Sequence, residues 1–226
     1  MDPRKIIDLS HKIIPEKEHF KISTMVDDVS NVTPFQYIKH RPDVWYVVGE
    51  VTYCTHVGTH IEAPFHHKKD GADISEVTFP QLVGPLVVLD CRKKKNGEEI
   101  TLEEVKAYEN KIKAGSIVFI WTGIDKQYHT DRWDEKPYLA LEATKWIVSK
   151  KIVCLGADAA DIEIQGTDHQ PNHQALFEAG IVMVESLANL EKVSSGNYIV
   201  MIMPIPIKGL ESSPARIIAI PADQFK

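Results

Sequence analysis

Ile117-Val118-Phe119-Ile120-Trp121-Thr122-Gly123 is an apolar run that ends at a glycine. A short run of this kind, rich in β-branched and aromatic residues, reads as a strand covered on both faces. The segments around it fit the same sheet. Residues 82–91 hold Val83, Leu86, Val87, Val88 and Leu89, a second buried strand. Between the two, Thr101-Leu102-Glu103-Glu104-Val105 opens a helix, with Thr101 as N-cap and Glu104 completing a capping box. Downstream, residues 141–150 read as an amphipathic helix and Ile152-Val153-Cys154-Leu155-Gly156 as a strand. Residues 173–179 form a short helix closed by Gly180, and residues 181–185 a further strand. Strands are also expected at 6–10, at 45–55, at 198–207 (broken by Pro204 and Pro206) and at 215–220. Residues 15–44, with Pro15, Pro34 and Pro42, read as a long irregular excursion, and residues 124–137 and 158–172 as loops. Strands outnumber helices, and the two kinds alternate in the second half. This predicts an α/β or α+β fold with a mixed sheet. The 226 residues are expected to form a single domain, 1–226, with no internal repeat, low-complexity segment or linker.

Composition narrows the function classes. Hydrophobic residues make up 43%, enough for a core, and the net charge of -6 gives a nucleic-acid partner no electrostatic support. The one dense basic run, Arg92-Lys93-Lys94-Lys95, leads into Asn96-Gly97 and reads as a solvated hairpin tip. Cys54, Cys91 and Cys154 are far apart and contain no CxxC pair, which fits a reducing compartment. Met1-Asp2-Pro3-Arg4-Lys5 precedes only a short apolar stretch, so no secretory signal is expected, and no apolar run approaches the length of a membrane span. The expectation is a cytoplasmic protein with a small-molecule substrate and neither a nucleic-acid nor a membrane partner. The sequon Asn31-Val32-Thr33 then carries no glycan.

Four of the ten histidines fall in Thr55-His56-Val57-Gly58-Thr59-His60-Ile61-Glu62-Ala63-Pro64-Phe65-His66-His67. His56, His60, Glu62 and His66 sit at even positions, and nitrogen and oxygen donors in such a cluster suit a divalent transition metal. Gly58, Pro64 and the β-branched residues argue against a helix here. In an extended chain the even positions share a face. A straight strand, however, separates residues 56 and 60 by about 13 Å, too far for two imidazoles on one ion. The chain must bend, and Gly58 is the residue able to do it. His60 and Glu62 can chelate without a bend, and Pro64 turns His66 toward the same place. Three ligands leave positions for water and substrate, which points to metal-assisted hydrolysis with His66 as acid or base. His173 at a helix start and Glu185 at a strand end can face one site if the strand doubles back along the helix. His169 and Asp168 read as exposed loop residues. No GxSxG, Walker A or GxGxxG string occurs.

The string His56-Val57-Gly58-Thr59-His60-Ile61-Glu62-Ala63-Pro64-Phe65-His66 resembles the HxGTHxDxPxH signature of the cyclase-like metal hydrolases, which include bacterial kynurenine formamidase and isatin hydrolase. Asp8-Leu9-Ser10, the stretch from Gly71-Ala72 to Gly84-Pro85, and Asn172-His173-Gln174-Ala175 through Glu185 resemble other parts of that family. The resemblance implies a swivelling β/β/α fold and a homodimer or homotetramer. It implies zinc or manganese, one ion or two, held by His56, His60 and Glu62. Glu62 would bridge to a second ion held by His173 and Glu185, and His66 would be the catalytic proton shuttle. The implied reaction is hydrolysis of an amide, formamide or cyclic amide by metal-bound hydroxide. One departure stands out: the signature's aspartate is Glu62, one methylene longer. A non-catalytic metal-dependent binding protein, or a lactone hydrolase, thioester hydrolase or cyclase, remain the alternatives.

Overall fold

The structure is a computed structural model that describes residues 2–29 and 43–225; the sequon and Pro34 and Pro42 lie outside them. The first half holds strands β1 (Ile7–Asp8), β2 (Ile22–Asp28), β3 (Val47–Tyr53) and β4 (His60–Glu62). Helix α1 (Phe79–Leu82) leads into β5 (Val83–Asp90) and β6 (Glu99–Ile100). Then come α2 (Leu102–Lys106), β7 (Ile117–Trp121), β8 (Tyr138–Leu139), α3 (Leu141–Ser149) and β9 (Cys154–Ala157). Helix α4 (Pro171–Glu178) precedes β10 (Val182–Glu185), β11 (Tyr198–Pro204) and β12 (Ser212–Pro221).

The fold is mixed α/β, as the alternation of strands and helices predicts. Eight strands form one sheet in the order β1-β12-β11-β5-β7-β9-β10-β4. Strands β5, β7, β9 and β10 run parallel, while β11, β12, β1 and β4 pair antiparallel. Because β4 also pairs with β12, the sheet closes on itself like a barrel.

The central run 117–121 shows why its sequence does not alternate. All five residues of β7 are buried. Val118 and Ile120 join Leu155, Met183, Ala143, Ile147, Leu176 and Phe177 in a core between sheet and helices. Ile117, Phe119 and Trp121 face the other way, into a second core with Ile61, Val184, Val200, Ile217 and Ala219. With apolar layers on both sides, every position of the strand is selected for burial.

Two local readings are corrected. The excursion at 15–44 contains β2, which pairs with β3 in a separate two-stranded sheet. Five of the seven β2 residues are exposed, so no buried face imprints a period on its sequence. The basic run at 92–95 is not a hairpin tip: β6 beyond it pairs in parallel with β8, and the Arg92 guanidinium lies 3.7 Å over the Trp121 ring. Helix α2 has the expected capping box, and α4 starts two residues before His173 because Pro171 suits a first helical position.

Gly71 ties the fold to the histidine window. A Cβ there would lie 2.7 Å from the Pro64 carbonyl carbon and 2.8 Å from the Phe65 nitrogen, within the turn that carries His66. Gly71→Ala is expected to lower stability by about 1–3 kcal/mol through overpacking against rigid backbone. Urea unfolding monitored by circular dichroism, with an unchanged denaturant slope, checks this.

Candidate metal centre

Backbone pairing sets the centre. Strand β4 lies between β10 and β12, and its register puts His60 directly opposite Glu185. Ile61 points into the apolar core, so His60 and Glu62 project from the opposite face. Glu185 shares that face with Met183, which packs on the helix side. The site therefore sits at the C-terminal end of parallel strand β10, where such sheets commonly bind ligands. His56 arrives from the preceding turn. Gly58 makes the bend at φ +68, its would-be Cβ meeting Ile13 at 2.8 Å, so a side chain there meets both strain and collision. Pro64–His66 then forms a 3-10 turn that swings His66 back over the cluster.

The side chains converge. His56 Nδ1 is 2.9 Å from Glu62 Oε1 and 3.2 Å from His60 Nε2. His60 Nε2 is 3.3 Å from Glu185 Oε2 and 3.5 Å from Glu62 Oε1. His173 Nε2 is 3.2 Å from Glu185 Oε1 and 3.6 Å from Glu62 Oε2. One ligand atom from each of His56, His60, Glu62 and Glu185 falls within 4.8 Å of every other. His66 Nε2 stands 3.8 Å from Glu62 Oε1, on the more open side.

Each of the three buried-facing imidazoles is held by its other nitrogen. His60 Nδ1 bonds the Gly58 carbonyl at 2.9 Å. His173 Nδ1 bonds Glu163 Oε1 at 2.8 Å. His56 Nε2 is 3.3 Å from Glu211 Oε1, which also accepts from Thr55 Oγ1. A ring whose one nitrogen donates to such a partner presents the lone pair of the other inward, as metal-ligating histidines do. Glu163 is fixed in turn: its carboxylate accepts from Asn172 N, His173 N and Asn172 Nδ2, so it also caps α4. Glu62 Oε2 is buried and accepts no hydrogen bond among the described residues, a costly arrangement for a carboxylate that a cation would complete.

The electrostatics agree. Burial opposes charge on Glu62, yet hydrogen bonds from His56 and His60 and the charge of His173 hold its carboxyl well below the usual range. Burial also opposes charge on His60 and His173, but the carboxylates win and raise both to about 10; bonds to Glu185 and Glu62 act on His60, and bonds to Glu163 and Glu185 on His173. A place that draws protons this strongly draws a cation for the same Coulombic reason. His66 is different. Burial pulls it down to about 4 against the attraction of Glu62, so it is neutral near pH 7.

A cavity of about 480 Å³ opens over the cluster, with Phe20, Trp133 and Gln170 on its walls. A larger groove of about 590 Å³ around Lys12 and Arg216 contains none of the clustered imidazoles.

Comparison with known proteins places this geometry. A model of the putative cyclase family matches residues 7–164. The chain belongs to the cyclase family. Kynurenine formamidase of Geobacillus thermodenitrificans is 27% identical over 169 residues, covering 75% of this chain and 78% of that protein. Kynurenine formamidase of Bacillus cereus is 25% identical over 175 residues, covering 77% and 80%. Among solved structures, an isatin hydrolase bound to thioisatinate superposes with a TM-score of 0.81 at 23% identity, covering 95% of this chain and 91% of that one. Isatin hydrolase A from Labrenzia aggregata gives a TM-score of 0.79 at 25% identity, covering 95% and 92%. This cyclase-family chain is thus an enzyme.

The structure brings His56, His60, Glu62, His173 and Glu185 together and sets His66 beside them. The Glu62 methylene is absorbed without displacing its carboxylate from the imidazoles. His169 and Asp168 stay exposed, paired with each other. Glu163, Glu211 and Gln170 escape sequence reasoning, because each is one polar residue among others in a loop, with no periodicity to single it out. Cys91 and Cys154 are buried free thiols away from the cluster; burial pushes Cys91 up to about 12 and Cys154 higher still. No helix among the described residues is long and apolar enough to cross a membrane.

Two outcomes follow for cation binding. Glu163→Gln removes the charge that orients His173 and is expected to weaken zinc or manganese binding roughly 10–100-fold, measured by competition with a fluorescent chelator. Loading must also displace the protons held on His60 and His173, whose raised values lie above neutrality. Affinity is therefore expected to climb from pH 6 to pH 9, by about tenfold per unit for each proton released. Calorimetry in buffers of different ionisation enthalpy counts those protons.

Proposed function

We propose that this chain is a metal-dependent hydrolase that cleaves the C–N bond of a small amide, in particular a formamide or a cyclic amide. The observation that carries this reading is the convergence of three imidazoles and two carboxylates under one cavity, with a neutral imidazole beside them. His56, His60 and Glu62 would hold a zinc or manganese ion, and Glu62, His173 and Glu185 offer a place for a second. A divalent cation bound there supplies a Lewis acid and lowers the pKa of water.

The chain's own residues do the rest. Phe20 and Trp133 give the cavity an aromatic flank that fits a flat acyl or aryl group. Glu163, Glu211 and the Gly58 carbonyl hold the ring planes in place, so no reorganisation is needed during reaction. His66 Nε2 accepts a proton from the attacking water and returns it to the leaving nitrogen. Its lowered pKa leaves the ring neutral and free to accept near pH 7 and makes the imidazolium a ready donor to the leaving nitrogen, while the nearby Glu62 carboxylate stabilises that imidazolium as it forms. The products are a carboxylate and an amine. The relatives named kynurenine formamidase and isatin hydrolase support an acyl C–N bond as the target. An assembly of two or four copies in the cytoplasm belongs to the same reading.

The test is a panel of N-formyl aromatic amines, isatin, imides and lactams offered to zinc- or manganese-loaded protein. Turnover should rise with cation content. His60→Ala is expected to lose cation and activity together. His66→Ala should keep its cation, read by elemental analysis, while kcat falls about 10²–10⁴-fold. A fully loaded enzyme inert toward the whole panel would refute the amide reading.

A further inference from the structure

Gln170 has an unusual backbone and an unfinished side chain. It sits at φ +41, ψ +65, a left-handed conformation that non-glycine residues rarely adopt. Pro171 follows directly and restricts it further. Helix capping does not account for this, because the Gln170 side chain makes no capping hydrogen bond. The Glu163 carboxylate takes the first free N–H groups of α4 instead. Strained backbone of this kind gathers at sites where a side chain must be aimed.

Its aim is defined by one bond. Gln170 Oε1 accepts from His67 Nε2 at 2.8 Å. His67 is itself held, its ring stacked on His173 at 5.5 Å between centroids. With Oε1 fixed, the planar amide has one orientation, and its NH₂ group faces away from His67. That NH₂ makes no hydrogen bond among the described residues. Gln170 lines the same cavity as Glu62, His66, His173 and Glu185. The carboxylates lining that cavity only accept when ionised, and Gln170 is its one side-chain amide among the described residues.

Amide hydrolysis builds negative charge on the carbonyl oxygen, and a pre-aimed donor is what that oxygen requires. We propose that Gln170 is a catalytic residue whose Nε2 donates a hydrogen bond to the scissile carbonyl oxygen, with His67 as the positioning residue that orients it. The proposal rests on the amide-hydrolase reading above.

Two substitutions separate the donor from the scaffold. Gln170→Glu keeps an oxygen for His67 and deletes the NH₂ group, whereas Gln170→Met deletes both. On the best panel substrate, both variants are expected to lose about 10²-fold in kcat, with KM little changed and cation content equal to wild type. His67→Phe should show a smaller loss of the same kind. A wild-type kcat in Gln170→Glu beside a loss in Gln170→Met would overturn the proposal, since the His67 bond alone would then matter. A rise in KM with kcat intact would also overturn it, placing the amide on a non-reacting part of the substrate. Active wild type with unaffected variants sinks only the role of Gln170. Inert wild type sinks the hydrolase reading and this role together.

Discussion

The buried carboxylate of Glu62 is the group on which the rest of the centre depends. It sits on a three-residue strand clamped between two antiparallel partners, so its backbone has almost no freedom. One of its oxygens lies within 4 Å of His56, His60 and His66; the other is 3.6 Å from His173 and has no hydrogen-bond donor among the described residues. A carboxylate taken out of water in that way must be compensated by positive charge. The imidazoles of His56, His60 and His173 are turned to provide that compensation or to share a cation that does.

The second tier of acceptors makes the arrangement stiff rather than merely close. Glu163 serves two structural tasks with one carboxylate: it terminates the free N–H groups of α4 and fixes the tautomer of His173. Glu211 does the corresponding work for His56 from the start of the β12 arm. Four acids in and around three imidazoles leave the locus rich in negative charge. The chain tolerates this because each carboxylate is paired, bonded or aimed at the shared centre. Cation binding and local order are therefore coupled, since the same contacts define both. Glu18 plays a related part next to His19 and Phe20 of the cavity wall. It accepts from Tyr128, His129 and the Ile14 nitrogen, tying the loop that carries Phe20 to the loop that carries Trp133.

Much of the architecture was legible because burial leaves a trace in the chain. The run 117–121 is apolar throughout since both of its faces are covered, whereas β5 has one buried face, with Val87 and Leu89 inside and Val83 and Pro85 exposed. Thr101 and Glu104 announce their helix by the chemistry of its first turn. Strand β2 left no trace, because its side chains face neither core. In the window at 56–66 the donor types, the bend at Gly58 and the turn at Pro64 are local matters, and local matters are written in neighbouring residues. Glu163, Glu211 and Gln170 belong to other loops, and nothing beside them distinguishes them from surface residues.

The sequence by itself determined which donors are available, that they crowd one short segment, and that this segment cannot be a helix. It also determined a mixed sheet with helices packed against it. Only the tertiary structure decided that β4 would lie between β10 and β12, which sets His60 opposite Glu185 and brings Glu211 and Glu163 to the backs of two rings. The physical reason is register. Residue type is a property of one position, whereas strand pairing depends on how distant segments share hydrogen bonds and core volume, and a shift of one residue would turn His60 and Glu62 into the apolar core.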